Sequence, residues 1–373
     1  MSRRSGSSPQ NYNRPTTRAC LRATVNTALL SPDILSTVMV WLGVPDLARV
    51  TRVCHAWKEA ATLRLRDSRR SRGLYAVGGC YGGPHPSSSL SLSTVQRYNP
   101  TTGTTHSLAA LSQGRDHLGL AATGGQLYAI GGWTGSRNCA TVEVYDPLQD
   151  QWQTGPRLTI ERSGLGVAVG PTGSLLAVGG WGGDGLDYLS SVEEYNPSEE
   201  KWEALSDLQT PRHCPGVAVL GHWLYVCGGL PGHALARLST VERLDLDDEE
   251  AGAWEVVAPM HMPRYRHALA ALDGKLYAVG GETATADNGA LVVTSSVEMF
   301  DPALNTWQSV TPLCRPRMSH AVAVFDGCLL ALGGFDGSHW LDSAERYEPL
   351  SGRWEEMPVP GFAPRCAQGL AVC

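Results

Sequence analysis

The sequence predicts an all-β, six-bladed β-propeller preceded by a small three-helix segment. Three observations support the propeller: a diglycine that recurs six times, a spacing of 48 to 53 residues, and an apolar run before each pair. A period near 50 residues built on short apolar runs is typical of radial β repeats, in which each unit forms one four-stranded sheet. The second glycines of the pairs are Gly79, Gly132, Gly180, Gly229, Gly281 and Gly334.

The charge of the chain is unevenly divided. Residues 1–73 carry 13 Lys and Arg against 4 Asp and Glu, and the remaining residues carry 17 against 32. The repeat region is therefore acidic, and we expect no nucleic-acid partner, because nucleic-acid binders show a basic stripe on the folded domain. No apolar run approaches the roughly 20 residues that span a bilayer, so we expect no membrane partner either.

The ten cysteines include no CxxC pair and no Cys/His set at zinc spacing. Several lie inside apolar runs and are expected to be small core residues in the reduced state, which favours the cytoplasm or the nucleus. No P-loop and no GxSxG motif is present. The sequence thus predicts no cofactor, no metal, no catalytic residue and no enzymatic activity.

The chain begins with a basic segment and a helical one. Residues 1–28 are Arg-rich and free of acidic residues, which favours a disordered tail over an organelle transit peptide. Residues 29–65 predict three short helices, the first capped by Ser31 and started by Pro32. Residues 66–73 form a basic linker. A helical unit of this size buries little surface, so part of its apolar surface is expected to bind a partner.

Each repeat unit from Leu74 onward predicts four strands. An arginine precedes the first strand, the diglycine ends the second, a Tyr-x-Pro motif or a variant ends the third, and tryptophan marks the fourth in most units. The first unit has no run before Leu74 that matches a first strand. The segment Gln368–Cys373 matches one, so we expect the C-terminal strand to complete the first blade and close the ring.

Diglycine, Tyr-x-Pro, Trp and Pro-Arg at this spacing resemble the kelch repeat over residues 74–373, about four-fifths of the chain. In kelch propellers of adaptor proteins, one face commonly holds short peptide segments of substrates. Here that face is formed by the segments after the diglycines and around the arginines, because strand direction alternates along each sheet. We call it the rim.

The predicted substrate-binding residues lie on this rim, where aromatic and arginine side chains are typical of binding hot spots. The recurrent arginines have a second interpretation, since a glutamate also recurs in most units and each arginine could pair with it. The predicted set comprises Tyr81, Arg115, His117, Trp133, Arg162, Trp181, Arg212, Arg266, Ser319 and Phe335.

Residues Leu30–Ala61 resemble an F-box, with Leu-x-Pro-Asp-x-Leu, a following Asp-Leu and Val-Cys-x-x-Trp. The match departs at Ser31, where the family commonly has Leu, and at Ile34, a position that is frequently acidic. The resemblance implies docking to the Skp-type adaptor of a cullin–RING ubiquitin ligase. The implied adaptor-binding residues are Leu30, Pro32, Ile34, Leu35, Leu47, Val53 and Trp57.

These resemblances predict a substrate-recognition subunit of a Skp–cullin–F-box-type ubiquitin ligase, which acts in protein ubiquitination by binding a protein or peptide substrate. One alternative is a kelch interaction scaffold, such as a cytoskeletal one, whose helical segment only caps the propeller. A second is a metal-dependent propeller enzyme. It would need His117, His213, His267 and His320 to converge, and their differing offsets from the arginines argue against that.

Overall fold

The protein folds into six antiparallel, four-stranded sheets, as the computed structural model shows for residues 72–82, 90–183, 188–197, 199–232, 236–247, 252–285 and 289–373. The predicted six-bladed β-propeller is confirmed. Among these residues no helix has the length and apolar character that crossing a bilayer requires. The predicted tail 1–28, the helical segment 29–65 with its adaptor-binding residues, and the linker up to residue 71 lie outside the described residues.

Blade 1 combines the two ends of the described chain. Its inner strand is Gly369–Val372, which pairs antiparallel with Leu74–Val77 in the register Leu74 to Val372. The outer strands are Val95–Asn99 and Thr104–Leu108. Gly73 extends the pairing by exchanging two backbone hydrogen bonds with Cys373, at 3.1 and 3.3 Å. The ring is therefore closed by noncovalent pairing between segments almost 300 residues apart.

Each of the other blades is built from four strands in chain order, the inner one first. Blade 2 comprises Gly119–Thr123, Gln126–Ile130, Val142–Asp146 and Gln151–Gly155. Blade 3 comprises Gly166–Val169, Leu175–Val178, Val192–Asn196 and Lys201–Leu205. Blade 4 comprises Gly216–Leu220, Trp223–Cys227, Val241–Asp245 and Glu255–Val257. Blade 5 comprises Ala268–Leu272, Lys275–Val279, Val297–Asp301 and Thr306–Val310. Blade 6 comprises Ala321–Phe325, Cys328–Leu332, Ala344–Glu348 and Arg353–Met357.

The core lies between the faces of adjacent blades. The six inner strands contact one another in ring order around the axis. The second strand of each blade is covered on both faces, which explains why Leu175–Val178 and its counterparts are continuous apolar runs without polar alternation. One cluster, for example, joins Ile130 and Val142 of blade 2 to Leu175 and Ala177 of blade 3.

Four of the recurrent tryptophans join their blade to the one before it. In blade 3, Trp202 lies directly across from Tyr195, with ring centroids 5.3 Å apart. Its indole Nε1 donates a 3.0 Å hydrogen bond to the carbonyl of Pro156, at the end of blade 2. Trp152, Trp254 and Trp307 donate in the same way to the blades before them. These residues therefore stabilise the propeller and do not face the rim.

Two short hairpins rise from the rim beyond the six sheets. Blade 1 carries Cys80–Tyr81 paired with Leu90–Ser91, and blade 5 carries Glu282–Ala284 paired with Leu291–Val293. Both follow a diglycine, where the predicted rim segments are longest. The hairpins expose Tyr81, Leu90, Leu291 and Val292, which are the exposed large apolar side chains on the rim among the described residues.

Candidate functional site

The arginine that precedes each first strand is buried in all six units. Arg115, Arg162, Arg212, Arg264, Arg317 and Arg365 are each at most 2% exposed. In units two to six the guanidinium forms a salt bridge with the glutamate in the third strand of its own blade. These pairs are Arg115–Glu143, Arg162–Glu193, Arg212–Glu242, Arg264–Glu298 and Arg317–Glu345, at 2.6 to 3.0 Å.

Blade 3 illustrates the hydrogen bonds that the buried arginine and its glutamate make. Arg162 Nη1 donates to the carbonyl oxygens of Gly179, at 2.9 Å, and Ser191, at 3.0 Å. Its Nη2 donates to Glu193 Oε1 at 2.6 Å, and Glu193 Oε2 accepts from the backbone N–H of Thr159 at 2.7 Å. Burial lowers the pKa of Arg162 from its ordinary value, and the carboxylate of Glu193 opposes that shift.

This arrangement corrects part of the predicted binding set. Arg115, Arg162 and Arg212 cannot contact a partner on the rim, because their guanidinium groups are buried and bonded within their own blades. The second interpretation of the arginines, pairing with the recurrent glutamates, is the one the structure confirms. These three residues are therefore structural.

The diglycines are required where the backbone of the next blade passes closely. The N–H of Gly180 donates a 2.8 Å hydrogen bond to the carbonyl of Arg212 in the following unit. Gly179 and Gly180 have φ angles of 59° and 105°. A Cβ added to Gly179 would lie 2.5 Å from that same Arg212 oxygen, so neither the conformation nor the space admits a side chain.

Blade 1 replaces the glutamate with Gln96. Arg365 Nη2 donates to Gln96 Oε1 at 2.8 Å, and the amide Nε2 of Gln96 donates to the carbonyl of Gly361 at 2.9 Å. A glutamate at this position would have no N–H to donate to the Gly361 carbonyl, which explains why the residue is a glutamine. Arg365 lacks an acidic partner, and burial lowers its pKa to about 10. It remains charged at neutral pH.

Two residues beyond each arginine, the chain reaches the propeller axis in the left-handed conformation. Such a φ costs a non-glycine residue about 1–2 kcal/mol, so the surrounding structure must hold it in place. Backbone hydrogen bonds of 2.7 to 2.9 Å join five neighbouring pairs of these residues around the axis. The residues are His117, Gly164, Cys214, Arg266, Ser319 and Ala367, with φ of 50, 59, 48, 55, 50 and 52°.

A cavity of about 120 Å³ lies on the axis inside this ring. Its walls come from the same six positions and from the residue after each, so all six blades contribute. Buried polar atoms without a hydrogen-bond partner among the described residues are concentrated here. They are His117 Nε2, Arg266 Nε, Ser319 Oγ, Gln368 Oε1 and both ring nitrogens of His267 and His320.

An unsatisfied buried polar group costs about 1–3 kcal/mol, so native proteins contain few of them and rarely place several together. Their concentration at one cavity makes it a candidate site for polar groups from outside the chain, water included. Arg266 supplies a cation, Ser319 a hydroxyl, and Gln368 an acceptor oxygen. The cavity is polar and small, which suits one side chain or chain end of a partner and not a large cofactor.

One side of the cavity carries an aspartate–histidine pair. Asp116 Oδ1 lies 2.6 Å from His117 Nδ1, and Asp116 Oδ2 accepts from Ser91 Oγ at 2.5 Å. The aspartate is buried and fixes the orientation of the ring, so that Nε2 of His117 is the nitrogen left for the cavity. This pair presents one fixed hydrogen-bonding position to a ligand.

Three of the four histidines considered from sequence do converge. His117, His267 and His320 all line the cavity, although their offsets from the arginines differ. His213 instead stacks on Tyr188 at 5.4 Å and lies 3.0 Å from the Tyr265 hydroxyl. Within the described part of the chain, no three His, Cys, Asp or Glu side chains are arranged to hold a metal ion.

A row of aromatic rings extends outward from the cavity over blades 2 to 5. Trp133 and Trp181 stack with centroids 5.9 Å apart and an interplanar angle of 28°, and both are half-buried. Asn138 Nδ2 donates to the Trp181 carbonyl at 2.8 Å and links the two loops. Farther along, Arg266 lies over the ring of Tyr265 at 5.0 Å. The two half-buried indoles present flat apolar surface beside the polar cavity.

The predicted residues on blades 6 and 1 have different environments. Tyr81 is 46% exposed and contacts the edge of Trp340. Phe335 is only 4% exposed, because it packs under Trp340 and against Met318. Phe335 therefore supports the rim from below, and the half-buried Trp340 replaces it as a candidate contact.

The structure thus brings together His117, Arg266 and Ser319 at the cavity and Trp133 with Trp181 beside it. Sequence reasoning missed Asp116, Gln368, Tyr188 and Trp340. It also set aside His267 and His320, which both stand three residues after an arginine. An alignment of the six units on their arginines, compared at the third residue after the arginine, would have found His267, His320 and Gln368.

Comparison with known proteins agrees with this fold. The model of the KLHDC2/KLHL20/DRC7 Kelch-repeats domain matches residues 207–373, and that of the Kelch motif matches 114–159 and 162–209. The solved structure of YjhT superimposes with a TM-score of 0.64 at 14% identity, covering 76% of this chain and 96% of that one. At that identity the likeness concerns the fold alone.

Curated relatives include Kelch-like protein 23 of Homo sapiens, 26% identical over 295 residues, which covers 78% of this chain and 49% of the relative. Kelch-like protein 35 of Mus musculus is 27% identical, covering 75% of this chain and 42% of the relative. The chain therefore spans about half the length, or less, of the curated relatives it matches. The matches show kelch repeats in the propeller part of this chain.

We predict that Arg162→Ala destabilises the propeller by about 3–5 kcal/mol, because it leaves the Glu193 carboxylate buried without its partner. Arg315→Ala is the matched control, since that arginine pairs with Glu356 on the surface, where both side chains are 54% exposed. It should change stability by no more than about 0.5 kcal/mol. Urea unfolding of both variants measures the difference, and equal losses would show that the buried pair has no special role.

We also predict that acid destabilises the propeller through its buried histidines. Burial lowers the pKa of His320 to about 3, while the unfolded value is near 6.5. Between these pH values the side chain of His320 is protonated in the unfolded chain and neutral in the folded chain. Stability is therefore complete above pH 6.5 and is lost as the pH falls toward 3, by about 2 kcal/mol at pH 5 for His320.

Urea unfolding at pH 7.5 and pH 5 tests this prediction. His320→Gln copies the residue that the chain itself carries at 368 and should reduce the loss on acidification. His106→Gln, at an exposed position, should leave it unchanged. An equal loss in the wild type and His320→Gln would contradict the assignment.

Proposed function

We propose that this kelch-repeat protein is the substrate-recognition subunit of a Skp–cullin–F-box-type ubiquitin ligase. The propeller is a non-catalytic protein-binding module, and its rim would hold the substrate protein. The segment Leu30–Ala61, which resembles an F-box, would dock the Skp-type adaptor and, through it, the cullin. The proposal implies a cytoplasmic or nuclear location.

One observation carries the substrate-binding part: unpartnered buried polar atoms surround the axial cavity, with stacked aromatic rings beside it. Protein interfaces obtain most of their affinity from a few anchors, commonly Trp, Tyr and Arg around a well-packed pocket. Trp133, Trp181 and Arg266 supply such groups. A partner could insert one polar group into the cavity and lay an apolar segment across the two indoles.

The proposed mechanism is proximity and needs no catalytic residue in this chain. A subunit that binds adaptor and substrate at once raises the effective concentration of substrate lysines near the loaded ubiquitin carrier. Effective concentrations in the millimolar range follow from short connections between two binding sites. Such positioning accelerates transfer by replacing a bimolecular encounter with one inside a complex.

The relatives support the binding role of the propeller more than the identity of the ligase. Their names describe kelch-like proteins, and this chain matches about half of their length or less. A scaffold that binds proteins through the same rim without an adaptor is the chief alternative. For the metal-dependent enzyme, His117, His267 and His320 line one cavity, but no three His, Cys, Asp or Glu side chains of the described residues are placed to hold a metal ion together.

We predict that the full-length protein captures the Skp-type adaptor and cullin, and that Pro32→Ala/Leu35→Ala abolishes this capture. Both residues stand at F-box motif positions in a segment expected to present apolar surface. The measurement is a pulldown of wild type and double variant, probed for adaptor and cullin. A matched control is Trp133→Ala/Trp181→Ala, which changes the rim and should retain the adaptor.

Each outcome separates the alternatives. Adaptor bound by the wild type and the rim variant but lost from the double variant supports the ligase proposal. Absence of adaptor from the wild type as well would overturn it and leave the propeller as a scaffold. Melting temperatures of all variants show whether a loss reflects unfolding.

A further inference from the structure

Cys80 and Cys366 lie directly opposite each other where the two ends of the described chain meet. Cys80 follows the diglycine of blade 1, and Cys366 precedes the closing strand Gly369–Val372. Their backbones exchange two hydrogen bonds, at 2.8 and 3.1 Å, and form an isolated antiparallel bridge. The two sulfur atoms are 3.6 Å apart, and both residues are 0% exposed.

The Cα separation expected of this pair suits a disulfide, and forming the bond would bring the two sulfurs from 3.6 Å to about 2.05 Å. Residues that exchange both hydrogen bonds in an antiparallel pair have Cα atoms about 5.5 Å apart, which is within the range that disulfides occupy. The neighbours Met318, Phe335 and Ala367 are apolar, so a disulfide there would leave no polar partner unsatisfied.

We propose that Cys80 and Cys366 form a redox-controlled clasp that can close the propeller covalently. The oxidant is a low-molecular-weight disulfide such as oxidised glutathione. One cysteine thiolate attacks it, forms a mixed disulfide and releases one small thiolate. The second cysteine then attacks the mixed disulfide and releases the other. The chain loses two protons and two electrons, and the oxidant becomes two thiols.

The closed ring protects the pair from this reaction. Burial raises the pKa of the Cys366 thiol well above its ordinary value, and the contact with Cys80 adds to the shift. The thiolate, which is the reactive form, is therefore scarce, and the oxidant has no access. Release of the four-residue closing strand exposes both cysteines. Oxidation should therefore occur after blade 1 has opened. Once formed, the disulfide should prevent blade 1 from opening again.

The bond would connect segments 286 residues apart in the sequence. A cross-link over so long a loop removes many conformations from the unfolded chain and is expected to stabilise the folded one. It would also prevent loss of the inner strand of blade 1. The clasp would thus adjust how readily the ring opens.

The test uses the full-length protein incubated with oxidised glutathione, with and without urea at a concentration just below unfolding. Mass spectrometry without reduction should detect a peptide linking Cys80 to Cys366, formed faster in urea. The melting temperature should rise by at least about 5 °C and return after dithiothreitol. The comparison between oxidised and reduced states is made within each variant.

Matched variants complete the design. Cys366→Ala and Cys80→Ala should each lose both the linked peptide and the temperature shift, even where the substitution itself lowers stability. Cys314→Ala removes an exposed thiol and should keep both effects. The proposal is overturned if the wild type forms no such link in urea, if it links other cysteines instead, or if the linked protein melts no higher than the reduced one.

Discussion

A buried arginine at the start of each blade is the contact on which the propeller depends. Its guanidinium bonds to the first diglycine carbonyl and, in five units, to a glutamate of its own blade, as Arg162 does with Gly179 and Glu193. Its backbone carbonyl accepts the N–H of the second glycine in the preceding unit. One residue thereby fixes the path of the chain within a blade and the contact between two blades. The arginine, the diglycine and the glutamate recur together along the chain because they form this one contact.

The same constraint decides where function can reside. The arginine, glutamate and diglycine bond to one another within the framework. The second and third residues after each arginine therefore lie at the axis, and the second has a fixed left-handed conformation. His117, Arg266, Ser319 and His320 occupy such positions, differ from one unit to another, and surround one cavity. The framework thus supplies two such positions in each of the six units, and their sequence variation gives the rim its particular chemistry.

The fold followed from the sequence because its signals are local and repeated six times. Even the closing strand was visible, since the first unit lacks a partner that the last residues can supply. The site followed only partly. Recurrence alone could not show whether Arg162 faced a ligand or Glu193, because both roles need charge at that spacing. The convergence of His117 with His320 was also hidden, because it arises from closure of the ring across segments distant in the chain. The helical segment 29–65 lies outside the described residues.

The central claim, that the rim around the axial cavity is the protein-binding surface, is tested most directly by quantitative affinity purification of the full-length protein and two variants. Trp133→Ala/Trp181→Ala removes the stacked pair on the rim. Leu148→Ala/Leu350→Ala removes leucines that are 97% and 98% exposed in turns of the opposite face. We predict at least about a tenfold loss of retained substrate proteins for the rim variant alone, with its melting temperature preserved. Full retention by a folded rim variant, or an equal loss in the opposite-face variant, would contradict the account.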